Sequence, residues 1–466
     1  MRLAGIMLAI FAAFAIAGLV AASDGDFAVL GVAALPLVIY GLTRLFKQPF
    51  VGIWTLVFIS QLDAIAVLAF RAVSEGSPIK ALTAVTLAAA LYRYRIALVD
   101  RLLANEPFVS RFLLLLLGAI LISALFARDG DLAQDEIRRM FNVVVLVVLI
   151  GGAVVTLKQV EWLVLALMGS TLLSALLVVY DWRTGGASFL ADLSEARSTW
   201  QNVHRSSGGS LDGAPMAATM LLCGTTLSVC LALRTARWRM LTVPTALLGS
   251  FAITLTLTRS ATLTFVLLLV WMAWKIRHQR SFIYLVLAGL TLCAVMLPLL
   301  PAEFWDKIST LSESDRDGTL LRRLSYHVIG ADLLLEYPLT GVGVGNFAIY
   351  YGDFENRFVP GRSELRPLHN QYLQYAVEAG ILGGIAYIGL LATVFMSFLR
   401  TSRQALSPDL RLMAEALLFS FTGLCVQMVY LSSKFNKYLW IYIGLAIAVR
   451  ALFNEEKNNA RTSGGS

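Results

Sequence analysis

The chain has 466 residues, of which 58% are hydrophobic and only 15% charged, and its mean hydropathy is +0.73. Soluble domains carry about 25% charged residues, so an ordinary soluble protein and a disordered one are both excluded. The net charge of +8 points to basic cytoplasmic loops rather than to nucleic acid.

Apolar runs lie near 4–22, 27–43, 50–70, 79–92, 112–127, 140–157, 162–180, 213–233, 240–257, 261–274, 282–299, 376–399, 412–432 and 438–453. They lack the alternation of an outer-membrane barrel strand. The expected fold is an all-α polytopic membrane protein with about 12–14 transmembrane helices. Met1-Arg2 before an apolar run ending near Ala21-Ala22 has the makings of a signal peptide, but the run is read as a first span. Transmembrane helices are expected over 1–299, interrupted by an outward loop at 181–212. A long outward loop follows at 300–375, then C-terminal spans at 376–453 and a disordered cytoplasmic tail at 454–466. Cys223, Cys230, Cys293 and Cys425 all fall inside apolar runs, with no CxxC spacing and no disulfide framework.

Charge sets the orientation. With Met1 inside and the spans alternating, the inner loops, inner span ends and both termini take 20 of the 38 Lys and Arg. The outer side, apart from its two long loops, takes 8. That bias follows the positive-inside rule and puts both termini in the cytoplasm. No internal repeat is visible, which disfavours a transporter built from two similar halves.

Three outward features depart from plain spans. The 181–212 loop is rich in Gly and Ser and carries Arg183, Arg197 and Arg205. Arg205 stands just before Ser206-Ser207-Gly208-Gly209, either snorkelling to lipid headgroups or serving a site. Arg259 sits in TLTLTRSATLTF, between two apolar runs with almost no loop. A cation there needs a buried partner or an anionic ligand, and its fork of donors suits phosphate oxygens. The 300–375 loop contains TLLRRLSYHVIGADLLLEYP, where Leu320, Leu321, Leu324, Val328 and Leu335 recur near helical spacing opposite Arg322 and Arg323. It reads as an amphipathic interfacial helix ended by Pro338. Gly341, Gly343 and Gly345 follow and allow a tight turn or close approach to a ligand.

His369 lies at the outer mouth of a span in LHNQYLQYAVEAG, beside Arg362 and Arg366. A side chain with pKa near 6.5 is a natural base at neutral pH. His204 and His327 are outward in polar context, and His278 is inward. The Asp-x-Asp pairs Asp24/Asp26, Asp129/Asp131 and Asp315/Asp317 lack supporting ligands, so no metal site is expected.

Arg205, Arg259, PLTGVGVGNF at 338–347 and LHNQYLQYAVEAGILG at 368–383 together resemble the bacterial O-antigen ligase and polymerase family, over roughly residues 200–400. The resemblance implies a glycosyltransferase C-like helical fold in the inner membrane. It implies an active site on the periplasmic side and no cofactor or metal. The donor would be a glycan on undecaprenyl pyrophosphate, and the acceptor lipid A-core for a ligase or the next repeat unit for a polymerase. It implies His369 as the essential histidine and Arg259 and Arg205 as pyrophosphate ligands. Lys80, at the outer end of a span, is read from its position as a further phosphate contact. Arginines can do at a leaving pyrophosphate what a metal does elsewhere, and a histidine can take the proton of the attacking hydroxyl. The ligase-type reading is preferred to the polymerase. The rivals from other classes are a lipid-linked glycan transporter, for which Asp63 and Gln61 lie within a span, and a metal-dependent oligosaccharyltransferase using an Asp-x-Asp pair.

Overall fold

A computed structural model describes residue 41 and residues 43–62, 77–185, 199–200, 203–208, 210, 213–296, 298, 318–353 and 366–463. The first apolar run, the second up to residue 40, Asp63, Arg197, Arg362 and the pairs Asp24/Asp26 and Asp315/Asp317 lie outside the described residues. The remaining runs fall on helices: α1 (Phe50–Ile59), α2 (Ser77–Tyr94), α4 (Pro107–Ala124), α5 (Gly130–Ala153), α6 (Leu157–Arg183), α7 (Ala214–Arg234), α8 (Arg239–Leu255), α9 (Arg259–Ile276), α10 (Ser281–Met296), α13 (Gln371–Gln404), α14 (Pro408–Gln427) and α15 (Lys437–Ser463). Between spans lie α3 (Ala97–Asn105), α11 (Gly318–Glu336) and α12 (Phe347–Asp353). The protein is an all-α polytopic membrane protein, save for a two-residue ladder pairing Thr199 with His204 and Trp200 with Val203.

Local chemistry sets the helix starts. Asp129 accepts from the backbone N–H of Asp131 and Leu132, Thr156 and Gln159 form a capping box, and Ser407 caps α14 ahead of Pro408. Six described helices are long and apolar enough to cross a membrane, or seven if α2 and α3, bent by 91°, form one span. Helix α8 has 17 residues and an internal Pro244, short of the roughly 20 needed to cross. Residues 454–463, expected as a disordered tail, instead extend α15 to Ser463.

The core is built around α7 and α15. Of the apolar window of α7, 89% is buried, against 33% for the peripheral α9. Polar side chains inside the bundle bond across helices, as packing in lipid favours. Gln61 Oε1 accepts from Ser170, Thr171 and the Tyr438 hydroxyl. Ser420 Oγ donates to the Cys223 carbonyl at 2.6 Å. Gln61, named beside Asp63 for the transporter alternative, is thus a buried hydrogen-bond hub.

Long-range polar contacts sort into two ends, matching the two sets of loops separated by charge. At the basic end, Glu415 pairs with Arg234 at 3.3 Å and Lys275 at 2.9 Å, Glu161 with Arg237 at 3.0 Å, and Glu106 with Arg450 at 3.2 Å. These buried glutamates tie that end shut. The opposite end carries the ladder, the α8–α9 turn, α11, α12 and the start of α13.

At this second end the Gly-rich segment docks on a break in α13. Ala379 and Gly380 leave helical geometry, Gly380 at φ +72°. Val342 N–H donates to the Val377 carbonyl and Ile381 N–H to the Pro338 carbonyl, both at 2.9 Å. Gly341 and Gly343 therefore allow close approach to the backbone of Glu378 and Ala127, and Gly345 to the Glu136 side chain. A Cβ on Gly380 would sit 2.2 Å from the Leu339 carbonyl oxygen. Gly380→Ala should lower stability by at least about 2 kcal/mol, since the left-handed conformation alone costs about 1–2. Gly118→Ala, where nothing lies within 4 Å, should be neutral or stabilising by up to about 1 kcal/mol. Thermal unfolding of the two purified variants checks the contrast.

Candidate active site

Arg205 follows the short ladder directly. Its segment lies along α6, where Ser207 N–H donates to Asp181 Oδ2 at 3.2 Å. Gly208, at φ +57°, approaches Val178 so closely that a Cβ would meet Cγ2 at 2.7 Å. From there the guanidinium crosses to the α8–α9 turn. Nε donates to the Thr256 carbonyl at 3.2 Å and Nη2 to Thr258 Oγ1 at 2.9 Å. The Thr258 hydroxyl donates to the Thr256 carbonyl at 3.3 Å and makes no capping bond to α9. The positive end of α9 thus lies beside Arg205, with Arg259 as its first residue. Leu257, between the two threonines, sits at φ +51°, a conformation unfavourable for a branched residue.

A third arginine joins them. Burial pushes the Arg205 pKa down to about 10, and repulsion from Arg323 and Arg259 adds to the effect. Guanidinium groups from two other parts of the chain therefore act on Arg205. Like charges held together by protein hydrogen bonds are complementary to a multiply charged anion, and their forks match phosphate oxygens. Arg323 lies on α11, one turn before His327, whose pKa is lowered by burial and then by Arg323.

His369 is at the start of α13, half-buried, between the buried Leu368 and the N-cap Asn370, whose side chain accepts from Leu373 N–H at 3.1 Å. Its own φ is +58°, and strained residues of this kind persist where their surroundings over-determine them. Gln371 N–H donates to the Met428 carbonyl and Gln371 Oε1 accepts from Ser433 N–H, both at 2.9 Å. The imidazole lies 5.4 Å from the Tyr326 ring, centroid to centroid, at 35°. Tyr326 is buried on α11 and meets Tyr351 edge-on at 4.8 Å.

The end of α14 joins the arginine side to the histidine side. Gln427 Nε2 donates to the Ser260 carbonyl at 2.9 Å and to Thr264 Oγ1 at 2.7 Å, pinning the start of α9. The next residue, Met428, holds Gln371. Below, Lys434 Nζ is buried between Glu136 Oε2 at 2.5 Å and Glu378 Oε2 at 2.6 Å. Glu378 also accepts from Gly345 N–H at 3.0 Å and Gln374 Nε2 at 2.8 Å. This buried charge network fixes the Gly-rich segment, the first turns of α13 and the 428–436 loop as one unit.

Of the sequence-expected residues, Arg205 and Arg259 are brought together, and His369 shares their end through the α14 bridge. Lys80 is exposed in the first turn of α2, a helix packed on α1, α3 and α5. Arg323, Lys434 and Glu136 were not singled out from sequence. Arg323 and Arg322 looked alike on the polar side of one helix, and Lys434 and its two glutamates come from three distant segments. Asp129 is a helix cap, further held by Asn346, whose Oδ1 accepts from Asp129 N–H at 2.7 Å. Among the described residues no group of three or more His, Cys, Asp or Glu is placed to hold a metal ion. His278 is exposed at the other end.

A search of curated proteins finds no match. Residues 244–388, which span Arg259, the α11 residues, the Gly-rich segment and His369, match the family model for O-antigen ligase, and this supports placing the protein in the O-antigen ligase and polymerase family.

Proposed function

We propose that the protein transfers a glycan from undecaprenyl pyrophosphate to lipid A-core at the periplasmic face of the inner membrane. The observation that carries the reading is the cluster of Arg205, Arg259 and Arg323, at the same end of the bundle as a histidine in strained backbone. The acceptor hydroxyl attacks C1 of the donor sugar, forming the new C1–O bond. The bond from C1 to the phosphate oxygen breaks, and its electron pair leaves with the pyrophosphate. The guanidinium groups and the positive end of α9 stabilise that charge. His369 takes the proton of the attacking hydroxyl. A single displacement inverts the configuration at C1. Lys80, exposed in the first turn of α2, adds positive charge on the approach. The donor tail lies in the bilayer, so the site opens toward lipid.

The test is transfer in vitro with purified protein and a glycan on undecaprenyl pyrophosphate, offered lipid A-core or a second lipid-linked repeat, with and without EDTA. Product on lipid A-core that survives EDTA is the expected result. Lengthened chains on the carrier would make the protein a polymerase using the same groups. Loss of product with EDTA would overturn the metal-free mechanism. No product from either acceptor would favour a transporter.

A further inference from the structure

Helix α11 presents three different sides. Tyr326, Ile329 and Leu333 face a small core beneath the long outer loop. Leu324, Val328 and Leu335 form an exposed apolar stripe on the opposite side. Arg323 and His327 occupy the flank between them, one helical turn apart and so side by side. That flank belongs to the site. Arg323 acts electrostatically on Arg205 and on His327, and Tyr326 packs its ring against His369.

The Nε2 of His327 is buried and has no hydrogen-bond partner among the described residues. A buried ring nitrogen left without a partner is costly, on the order of 1–3 kcal/mol. Such an atom beside an arginine cluster is what a site looks like when one of its bonds is made by a ligand. We propose that His327 is a ligand-contacting residue of this site, its Nε2–H donating to a non-bridging oxygen of a diphosphate held by Arg205, Arg259 and Arg323. The assignment rests on reading the arginine cluster as a diphosphate site.

An imidazole suits this place better than a fourth cation. Arg259 and Arg323 already repel Arg205, and burial together with Arg323 lowers the His327 pKa, which favours the neutral imidazole. A neutral imidazole still donates one hydrogen bond, and it adds no charge to be held when the site is empty. The neighbouring apolar stripe gives the same ligand a surface for its hydrocarbon chain, so headgroup and tail would meet adjacent sides of one helix.

The experiment is equilibrium binding of a sugar-free, short-chain polyprenyl diphosphate to the purified full chain in detergent, with inorganic pyrophosphate as the lipid-free arm. His327→Phe, which keeps the ring shape and removes the donor, should weaken binding of both probes about tenfold, equivalent to about 1.4 kcal/mol. His327→Gln, whose amide can donate, should bind more tightly than His327→Phe. Normal binding by Arg205→Ala would remove the diphosphate reading itself. Lost binding in Arg205→Ala with normal binding in His327→Phe would overturn the His327 assignment alone. The chain has 4 histidines, so a nitrogen-15 histidine spectrum of the wild type gives a readout that needs no variant to fold stably for binding. The His327 Nε2 resonance should move as diphosphate is added, and an unmoved resonance overturns the proposal.

Discussion

Replacing His369 by asparagine should lower glycan transfer by about 10²–10⁴-fold, the usual contribution of a positioned general base, and leave the fold and donor binding intact. Asparagine is the informative substitution because it tolerates the left-handed backbone that His369 adopts. The frame on either side does not depend on the imidazole. Leu368 stays buried, Asn370 still caps α13, and Gln371 remains bonded to Met428 and Ser433. A wild-type unfolding temperature together with a lost rate would therefore place the defect in chemistry. His369→Ala should lose the same activity with some added loss of stability. Transfer by His369→Asn at more than a tenth of the wild-type rate, measured as initial velocity at equal protein, would exclude His369 as the base.

Arg205→Lys and Arg259→Lys should each lose transfer despite keeping the charge. Arg205 spends two donors on Thr256 and Thr258, and a lysine, as a point charge, cannot hold both anchors and still face an anion. Its loss should be on the order of 10²–10³-fold, as for removal of a transition-state donor. Arg259→Lys keeps its place at the first position of α9 but loses bidentate geometry, and a fall of at least about tenfold is expected. Because the two guanidinium groups repel one another, their effects are coupled, and the double variant should lose less than the product of the single losses. Initial rates over a range of donor concentrations check this. Near-normal transfer by Arg259→Lys at normal protein levels would count against pyrophosphate binding by that residue.

Much of this architecture was legible in the chain. Each apolar run within the described residues falls on a helix, because burial of the backbone in lipid leaves few other options. Arg259 stood out because a cation between two spans is costly. His369 stood out by its place at a span mouth. The orientation of α11 was not legible. Leu324, Val328 and Leu335, read as the apolar face of an interfacial helix, are exposed, while a second apolar face of Tyr326, Ile329 and Leu333 is buried and was not read from the sequence. A helix with apolar residues on two sides has no single period to read. That ambiguity also hid Arg323, since a step of one residue turns a side chain by about 100°. The docking of the Gly-rich segment on the break at Ala379–Gly380 was not legible either. The pairing of Lys434 with Glu136 and Glu378 joins segments far apart in sequence, which no local pattern reports.

The docking of Pro338 and Val342 on Ile381 and Val377 has a consequence for how such an enzyme diversifies. Asn346 is held by Asp129, Phe347 and Tyr351 of α12 are buried, and Leu368 is buried beside His369, so the chain is anchored on both sides of residues 354–365. Doubling the length of a connection whose ends are already held costs only about 0.6 kcal/mol. Sequence can therefore be rewritten or inserted between the two anchors at little cost in stability, while His369 and the arginine cluster stay where they are.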